Sequence, residues 1–302
     1  MTAAHENFAQ WCTDSLDHVE QALSRWIATD APAGLGEPMR YAVLDGGKRL
    51  RPLLVLAAAQ AAGTLDAPHA EASLRAGCAV ELIHAYSLVH DDMPCMDNDV
   101  LRRGKPTVHI AFGQAKALLA GDALQALAFE LLVPEGRNIP DAIQAKLCRQ
   151  LALAAGYNGM AGGQAIDLAS VGKRLTQPEL QQMHKLKTGA LLQASVEMGA
   201  TCARISGKAL EALTTYGAAL GLAFQVIDDV LDVVADSATL GKTAGKDAAD
   251  DKPTYVSLMG LEPAKAYANE LLAEAQQALA GSGLPETRAP AALADMVVRR
   301  GH

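Results

Sequence analysis

Residues 81–109 read ELIHAYSLVHDDMPCMDNDVLRRGKPTVH. An apolar, helix-forming run ends in four aspartates, Asp91, Asp92, Asp97 and Asp99, and two arginines follow at once, Arg102 and Arg103. Carboxylates clustered at the end of an apolar run are costly to desolvate unless a cation sits among them. A hard divalent ion takes oxygen ligands, and Mg2+ in particular is shared between one or two carboxylates and substrate phosphates. The arginines supply planar forks suited to phosphate oxygens. The pattern describes a metal-bridged diphosphate site, although taken alone it reads equally well as a solvated helix end.

A second stretch decides between the two. Residues 224–232, FQVIDDVLD, again set aspartates into an apolar helical pattern. Asp228 and Asp232 share one helix face, with Gln225 one turn earlier. Like charges at that spacing repel, and a bound cation is the simplest way to keep them together. Two such clusters in one apolar chain favour the functional reading.

Composition narrows the fold. Half of the 302 residues are hydrophobic but only 4% are aromatic, and alanine and leucine dominate, which favours helices. No strand-like alternation, internal repeat or linker stands out. The expectation is one all-α domain over residues 1–302, its helices arranged around a central apolar cavity. A net charge of -8 and the lack of a Lys/Arg-rich block argue against nucleic acid as a partner. Five scattered cysteines without a CxxC read as free thiols in a reducing compartment. Glu6 precedes any apolar run, so the start does not read as a signal peptide, and no uncharged stretch is long enough to span a bilayer. A cytoplasmic protein without stable membrane insertion is expected.

Periodicity predicts helices over residues 7–29, 53–62, 71–90, 108–132, 141–159, 180–200, 214–234, 263–279 and 289–298. Gly121-Asp122 should interrupt or cap the fourth, and residues 104–107 should be loop. Pro94 should break the helix that feeds the first aspartates, so helical geometry cannot place Asp97 relative to Asp91. Gly46-Gly47 let the backbone turn tightly beside the cations of Lys48 and Arg51. His84, Ser87 and Asp91 fall on one face. Gly162-Gly163-Gln164 brings two backbones, or a ligand, close together, and Asp167 adds a carboxylate nearby. Thr188-Gly189 inside a helical pattern is a local conflict of the kind that marks function. Residues 236–251 are polar and rich in lysine and aspartate, which suggests a mobile loop carrying Lys242 and Lys246, with Lys252 just beyond.

The motifs DDMPCMD (residues 91–97) and DDVLD (228–232) resemble the two aspartate-rich motifs of the trans-polyprenyl diphosphate synthases. GGKRLRP (46–52), GGQAIDL (162–168), KTGALL (187–192), GKTAGKD (241–247), KPTYVSLMGL (252–261) and ALADMVVRR (292–300) extend the resemblance, in order, over nearly the whole chain. Val256 departs from it, standing where many relatives carry proline. The resemblance implies the isoprenoid synthase fold, a homodimer, and two aspartate motifs facing each other across a cavity mouth. It implies condensation of isopentenyl diphosphate onto dimethylallyl or geranyl diphosphate by Mg2+-assisted ionisation. The implied product is farnesyl diphosphate (C15), with the C10 and C20 products as alternatives.

Carried over residue by residue, the resemblance makes Asp91, Asp97 and Asp228 the Mg2+ ligands, with Asp92, Asp229 and Asp232 orienting that shell. Lys48, Arg51, His84 and Arg103 would hold isopentenyl diphosphate. Arg102, Lys187 and Lys252 would assist the departing diphosphate, with Lys242 on a loop that closes over it. Thr188 and Gln225 would stabilise the allylic cation, which makes Lys187, Thr188 and Gln225 the catalytic set. Tyr86, five residues before Asp91, would be the floor that stops the growing prenyl tail.

Rival readings fit less of the chain. A class I terpene cyclase would need neither the Lys48/Arg51 turn nor a second DDxxD. His90-Asp91 hints at an HD-type phosphohydrolase, but that site's other histidines show no pattern. A non-catalytic partner subunit has no reason to keep both acidic motifs. Glu81-Leu82-Ile83-His84 spells the ExxH of di-iron bundles, which require a second copy that is absent. An EF-hand from Asp97-Asn98-Asp99 fails because Arg102 stands where the turn glycine belongs.

Overall fold

A computed structural model of the chain describes residues 3–44, 46–136, 138–173, 175–234 and 254–301. Among the described residues the regular elements are helices apart from one two-stranded hairpin, as the composition implied. No described helix is long and apolar enough to cross a membrane. The expected lysine-rich loop, with Lys242, Lys246 and the neighbouring Lys252, lies outside the described residues. The chain divides into two compact units, Met1–Leu56 with Asp66–Cys148, and Ala57–Leu65 with Arg149–His302.

The first unit contains α1 (Ala3–Trp26), α2 (Gly36–Val43), the start of α3 (Leu50–Gln60), α4 (Ala67–Asp91), α5 (Val108–Phe112) and α6 (Gln114–Leu132). Asp66 caps α4 by accepting the His69 N–H at 3.1 Å, and Pro68 occupies the first turn, where a missing N–H costs nothing. Cys78, Val80, Leu82 and Ile83 are all fully buried along α4, which is how a helix that is apolar nearly all round must sit. α1, α2 and α6 cover it. Gly77 lets it approach the start of α3: a Cβ there would lie 3.3 Å from the Pro52 Cα. α4 stops at Asp91, one turn short of Pro94, as proline predicts.

Two expectations fail here. The pattern over 108–132 is two helices parted at Gly113 (φ 86), not one interrupted at Gly121-Asp122. Gly121 stays inside the helix and leaves room for the His90 ring, since a Cβ would meet Nε2 at 2.1 Å. Residues 104–107 are not plain loop. Leu101–Arg102 pairs antiparallel with Lys105–Pro106 across a two-residue turn. Arg103 (φ 54) and Gly104 (φ 77) both lie in the left-handed region, which suits the twist of a tight hairpin. An arginine at the first of these positions gives no sequence warning of such a turn.

α7 (Asp141–Ala155) follows. The second unit then carries α8 (Met160–Ser170), α9 (Gln177–His184), a π-helical turn (Lys185–Gly189), α10 (Ala190–Cys202) and α11 (Gly207–Val234). α12 (Tyr255–Met259), α13 (Leu261–Gly281) and α14 (Arg288–Val298) complete it. α11 packs on α10 and α13. Its buried Ala223, Val226, Ile227 and Val230 join Leu180, Met183, Tyr255 and Leu271 in one core, each large side chain contributing roughly 1.5–3 kcal/mol by leaving water. The expected helix over 180–200 is three pieces. Its Thr188-Gly189 conflict coincides with the π turn, an insertion common at functional sites.

Candidate active site

In the first unit the site is built on turns. α4 delivers His84 and Asp91, and the chain then folds back on itself. The Asp97 N–H donates to the Asp91 carbonyl at 2.8 Å, and Asn98, with φ 52, donates to Met93 at 3.1 Å. This turn gives Asp97 the position next to Asp91 that helical geometry could not supply. Asp92 points inward instead, is 2% exposed, and is gripped by Arg102 through Nε and Nη2 at 2.6–3.0 Å. Burial pushes the Asp92 carboxyl up despite that grip. Burial also opposes charge on Arg102, but Asp92 outweighs it and holds the guanidinium protonated.

Arg49, Glu81, His84, Asp92, Arg102 and Arg103 line one cavity. Burial, followed by the surrounding Arg51, Arg103, Arg102 and Arg49, holds the His84 imidazole neutral. Arg103 Nη1 donates to the Gly46 carbonyl at 2.6 Å, which ties the Gly46-Gly47 turn to the hairpin. The φ of 131 at Gly47 calls for glycine, and a Cβ there would meet that same guanidinium at 2.9 Å, so any larger residue would also have to move Arg103 off the turn. Lys48 is exposed on this turn, and Arg51 is buried in the first turn of α3.

In the second unit the site is built on helix interiors. Lys187 Nζ donates to Asp167 Oδ2 at 2.5 Å, so Asp167 of α8 is the partner that orients this lysine. Gly163, one turn before Asp167, lies against the π turn, and a Cβ would strike the Lys187 nitrogen at 2.1 Å. From the other side, Gly221 of α11 approaches so closely that its Cβ would lie 2.9 Å from the Gly189 Cα. The π turn is therefore held between two glycines. The open alternative for Gly162-Gly163, two backbones or a ligand, resolves to two backbones.

A hydrogen-bonded chain follows from Thr188. Its hydroxyl donates to Gln225 Oε1 at 3.0 Å, Gln225 Nε2 donates to Asp229 Oδ1 at 3.0 Å, and Asp229 Oδ2 accepts the Tyr255 N–H at 2.8 Å. Asp229 therefore aligns Gln225 and anchors the start of α12. Asp228 faces outward from the same helix and lies 3.3 Å from Arg300 Nη2, whose guanidinium stacks on Phe224 at 4.2 Å. Asp232 is buried.

Sequence reasoning passed over three groups. Arg49 is hidden inside GGKRLRP as a third cation and proves to be a core residue, 4% exposed. Glu81 was visible as half of an ExxH pair, and it turns out to be bonded to Arg49 at 2.8 Å. His184 carried no signal. It stacks on Tyr255, and burial lowers its pKa to about 4.

The polyprenyl synthetase family profile matches residues 32–281, a span that contains the first aspartate turn, the π turn and the second aspartate helix. A probable farnesyl diphosphate synthase of Bradyrhizobium diazoefficiens is 51% identical over 90% of this chain and 82% of its own. The farnesyl diphosphate synthase of Escherichia coli is 47% identical over 97% of this chain and 99% of its own. Among solved structures, the geranyltransferase of Helicobacter pylori, complexed with magnesium and isoprenyl diphosphate, superposes with a TM-score of 0.83. It is 31% identical, with 99% of this chain and 98% of that one covered. Similarity of this extent, carrying the isoprenyl diphosphate synthase fold along the whole described chain, makes the protein a member of the polyprenyl synthetase family.

Proposed function

We propose that residues 1–302 form one prenyltransferase domain that condenses isopentenyl diphosphate with dimethylallyl and geranyl diphosphate to give farnesyl diphosphate. The observation that carries the reading is the first unit's cavity: three arginines and a neutral histidine converge beside the Asp91–Asp97 turn. Such a concentration of fixed cations is built for a polyanion. The names of the relatives support the same chemistry and the C15 product.

The donor chemistry fits Mg2+. Asp91, Asp97 and Asp228 offer hard oxygens, and among the described residues no three acidic, histidine or cysteine side chains form a ready-made cage. Mg2+ would complete its shell with diphosphate oxygens and water. Bound there, the cation would supply charge neutralisation for the leaving diphosphate.

The chain's own residues do the rest. Lys48, Arg51, His84 and Arg103 bind and orient isopentenyl diphosphate, and neutral His84 can donate one N–H without adding charge. Arg102, Lys187, Lys242 and Lys252 bind the allylic diphosphate as it departs. Gln225 accepts the Thr188 hydroxyl's hydrogen bond, which leaves that oxygen's lone pairs free to face developing positive charge. No enzyme nucleophile is required, because the isopentenyl double bond is the nucleophile. We also assign a homodimer, for which exposed Ile110, Leu118 and Leu119 on α5 and α6 offer an apolar face, and a cytoplasmic location, which five free thiols suit.

Chromatography of products from dimethylallyl diphosphate plus labelled isopentenyl diphosphate and Mg2+ tests the proposal. A labelled C15 alcohol after dephosphorylation supports it. An isoprenoid containing no added isopentenyl unit would favour a terpene cyclase, and a C20 end product would revise the chain length.

A further inference from the structure

The proposed function counts Arg49 among the cations of the cavity but gives neither it nor Glu81 a contact with substrate, yet both are built in at considerable structural cost. Arg49 directs its fork at three elements. Nε meets Glu20 Oε1 of α1 at 2.6 Å, Nη1 meets Glu81 Oε1 of α4 at 2.8 Å, and Nη2 meets the carbonyl of Val43, the last residue of α2, at 2.5 Å. Its own backbone is left-handed, with φ 44, a conformation a non-glycine side chain adopts only when its surroundings impose it. The strained residue separates Lys48, on the glycine turn, from Arg51, in the first turn of α3. If Arg49 relaxed to a right-handed conformation, the direction of Lys48 relative to Arg51 would change.

We propose that Arg49, clamped by Glu20, Glu81 and the Val43 carbonyl, is a positioning residue that fixes Lys48 and Arg51 in the register needed to grip one diphosphate. The inference rests on the assignment of that turn to isopentenyl diphosphate. The turn is tied at both ends, by Arg103 at the Gly46 carbonyl and by the Arg49 clamp in the core. Glu81 has a second effect. It stands one helical turn before His84, bonded to Arg49 and close enough to Arg103 to favour its charge, and its carboxylate offsets the repulsion between those two guanidinium groups. A cation cluster awaiting an anion would otherwise splay apart. Lysine cannot replace Arg49, because a point charge on a flexible stem cannot serve three partners in one plane.

Steady-state kinetics of Arg49→Lys, with both substrates varied in turn, test the clamp. The Michaelis constant for isopentenyl diphosphate should rise about tenfold, while that for the allylic substrate and the turnover number stay within about twofold. An unchanged isopentenyl constant, or losses shared equally by both substrates as a general folding defect would give, overturns the inference. Should Arg49 variants fail to fold, Glu20→Gln decides, since Glu20 is 37% exposed and keeps its shape as glutamine. It should raise the same constant about threefold, and no change there also overturns the clamp. Lys48→Ala, measured alongside, separates the two levels. If Lys48→Ala leaves isopentenyl affinity intact, the assignment of the turn falls. If Lys48→Ala weakens it and Arg49→Lys does not, the clamp alone falls.

Discussion

The two aspartate-bearing regions hold their side chains by opposite means. Around Asp91, placement depends on bent backbone: Arg49, Asn98 and Arg103 all adopt left-handed φ, and ion pairs or backbone bonds keep them there. Around Asp228, each described side chain with an assigned role rides on helical backbone, and none of these has a positive φ. Placement there comes from close packing, with Gly163 and Gly221 on either side of the π turn. The contrast teaches where each region is vulnerable. A turn-built site fails when a tie is cut, and a helix-built site fails when a spacer is enlarged.

The largest effect should come where the two regions do the same thing. Asp91→Asn and Asp228→Asn each remove a charge meant for the leaving group's counter-cation. Such preorganised electrostatic contributions are worth on the order of 3 kcal/mol, so turnover should fall at least a hundredfold with the fold intact. Circular dichroism and kinetics at saturating Mg2+ check this. Near-normal turnover in one mutant but not the other would mean that only one region carries the metal.

The second effect contrasts two neutral histidines. His84 is kept neutral by burial and four arginines, His184 chiefly by burial. The folded His184 pKa of about 4 lies below the ordinary 6.5, so the native state rejects a proton that the unfolded chain accepts. Its contribution is therefore complete above pH 6.5 and is lost as pH falls toward 4, amounting to about 3 kcal/mol. Among the described residues neither ring nitrogen has a hydrogen-bond partner, Asp229 Oδ2 lying 4.0 Å from Nε2, so leucine should be tolerated. His184→Leu should gain on the parent by roughly that amount between pH 7 and 4.5 in urea denaturation. A pH-independent difference between the two would show that the ring is not the group being titrated.

The third tests spacers against turns directly. Gly163→Ala must push backbone apart and should cost about 1–3 kcal/mol, with weakened allylic binding through Lys187. Gly104→Ala has open space and only an unfavourable φ, so about 1 kcal/mol is expected with both affinities nearly kept. Equal costs would remove the distinction between the regions.

Legibility in the sequence follows the same division. Helix existence was readable almost throughout, because alanine-rich periodic runs leave little choice. The helix-built site was readable too: Asp228 and Gln225 share a face by spacing alone, and the Thr188-Gly189 conflict marked the π turn. Turns were less readable. Nothing in Arg103 or Arg49 announces left-handed backbone, since that state is imposed by partners far along the chain, Glu20 and Glu81 among them. Gly113 and Gly121 were confused because a glycine can end a helix or make room for a ring, and only His90 decides. The charged motifs showed which residue types matter, and tertiary contacts decided which pair. Thus Asp92 belongs to Arg102 and Asp167 to Lys187.

The smallest effect on rate should be the most informative about product. Tyr86 lies on α4 one turn before His90, and the two rings meet edge-to-face at 5.6 Å. Gln125 bonds the Tyr86 hydroxyl, and burial raises that hydroxyl's pKa despite the bond. A ring fixed from two directions is a better stop for a prenyl tail than a free one, because it cannot swing aside at small cost. Ser87, nearer to Asp91 by ideal helical angle, spends its hydroxyl on the His84 carbonyl at 2.8 Å and is too small to block a chain. Tyr86→Ala should therefore shift the product from C15 toward C20 and longer, with total isopentenyl consumption within a fewfold of the parent. His90→Ala should produce a weaker shift in the same direction by releasing one of the two supports. Product chromatography at limiting dimethylallyl diphosphate reads both. If Tyr86→Ala still stops at C15, chain length is not set on α4, and the second region, with its close-packed helices, becomes the place to look for the floor.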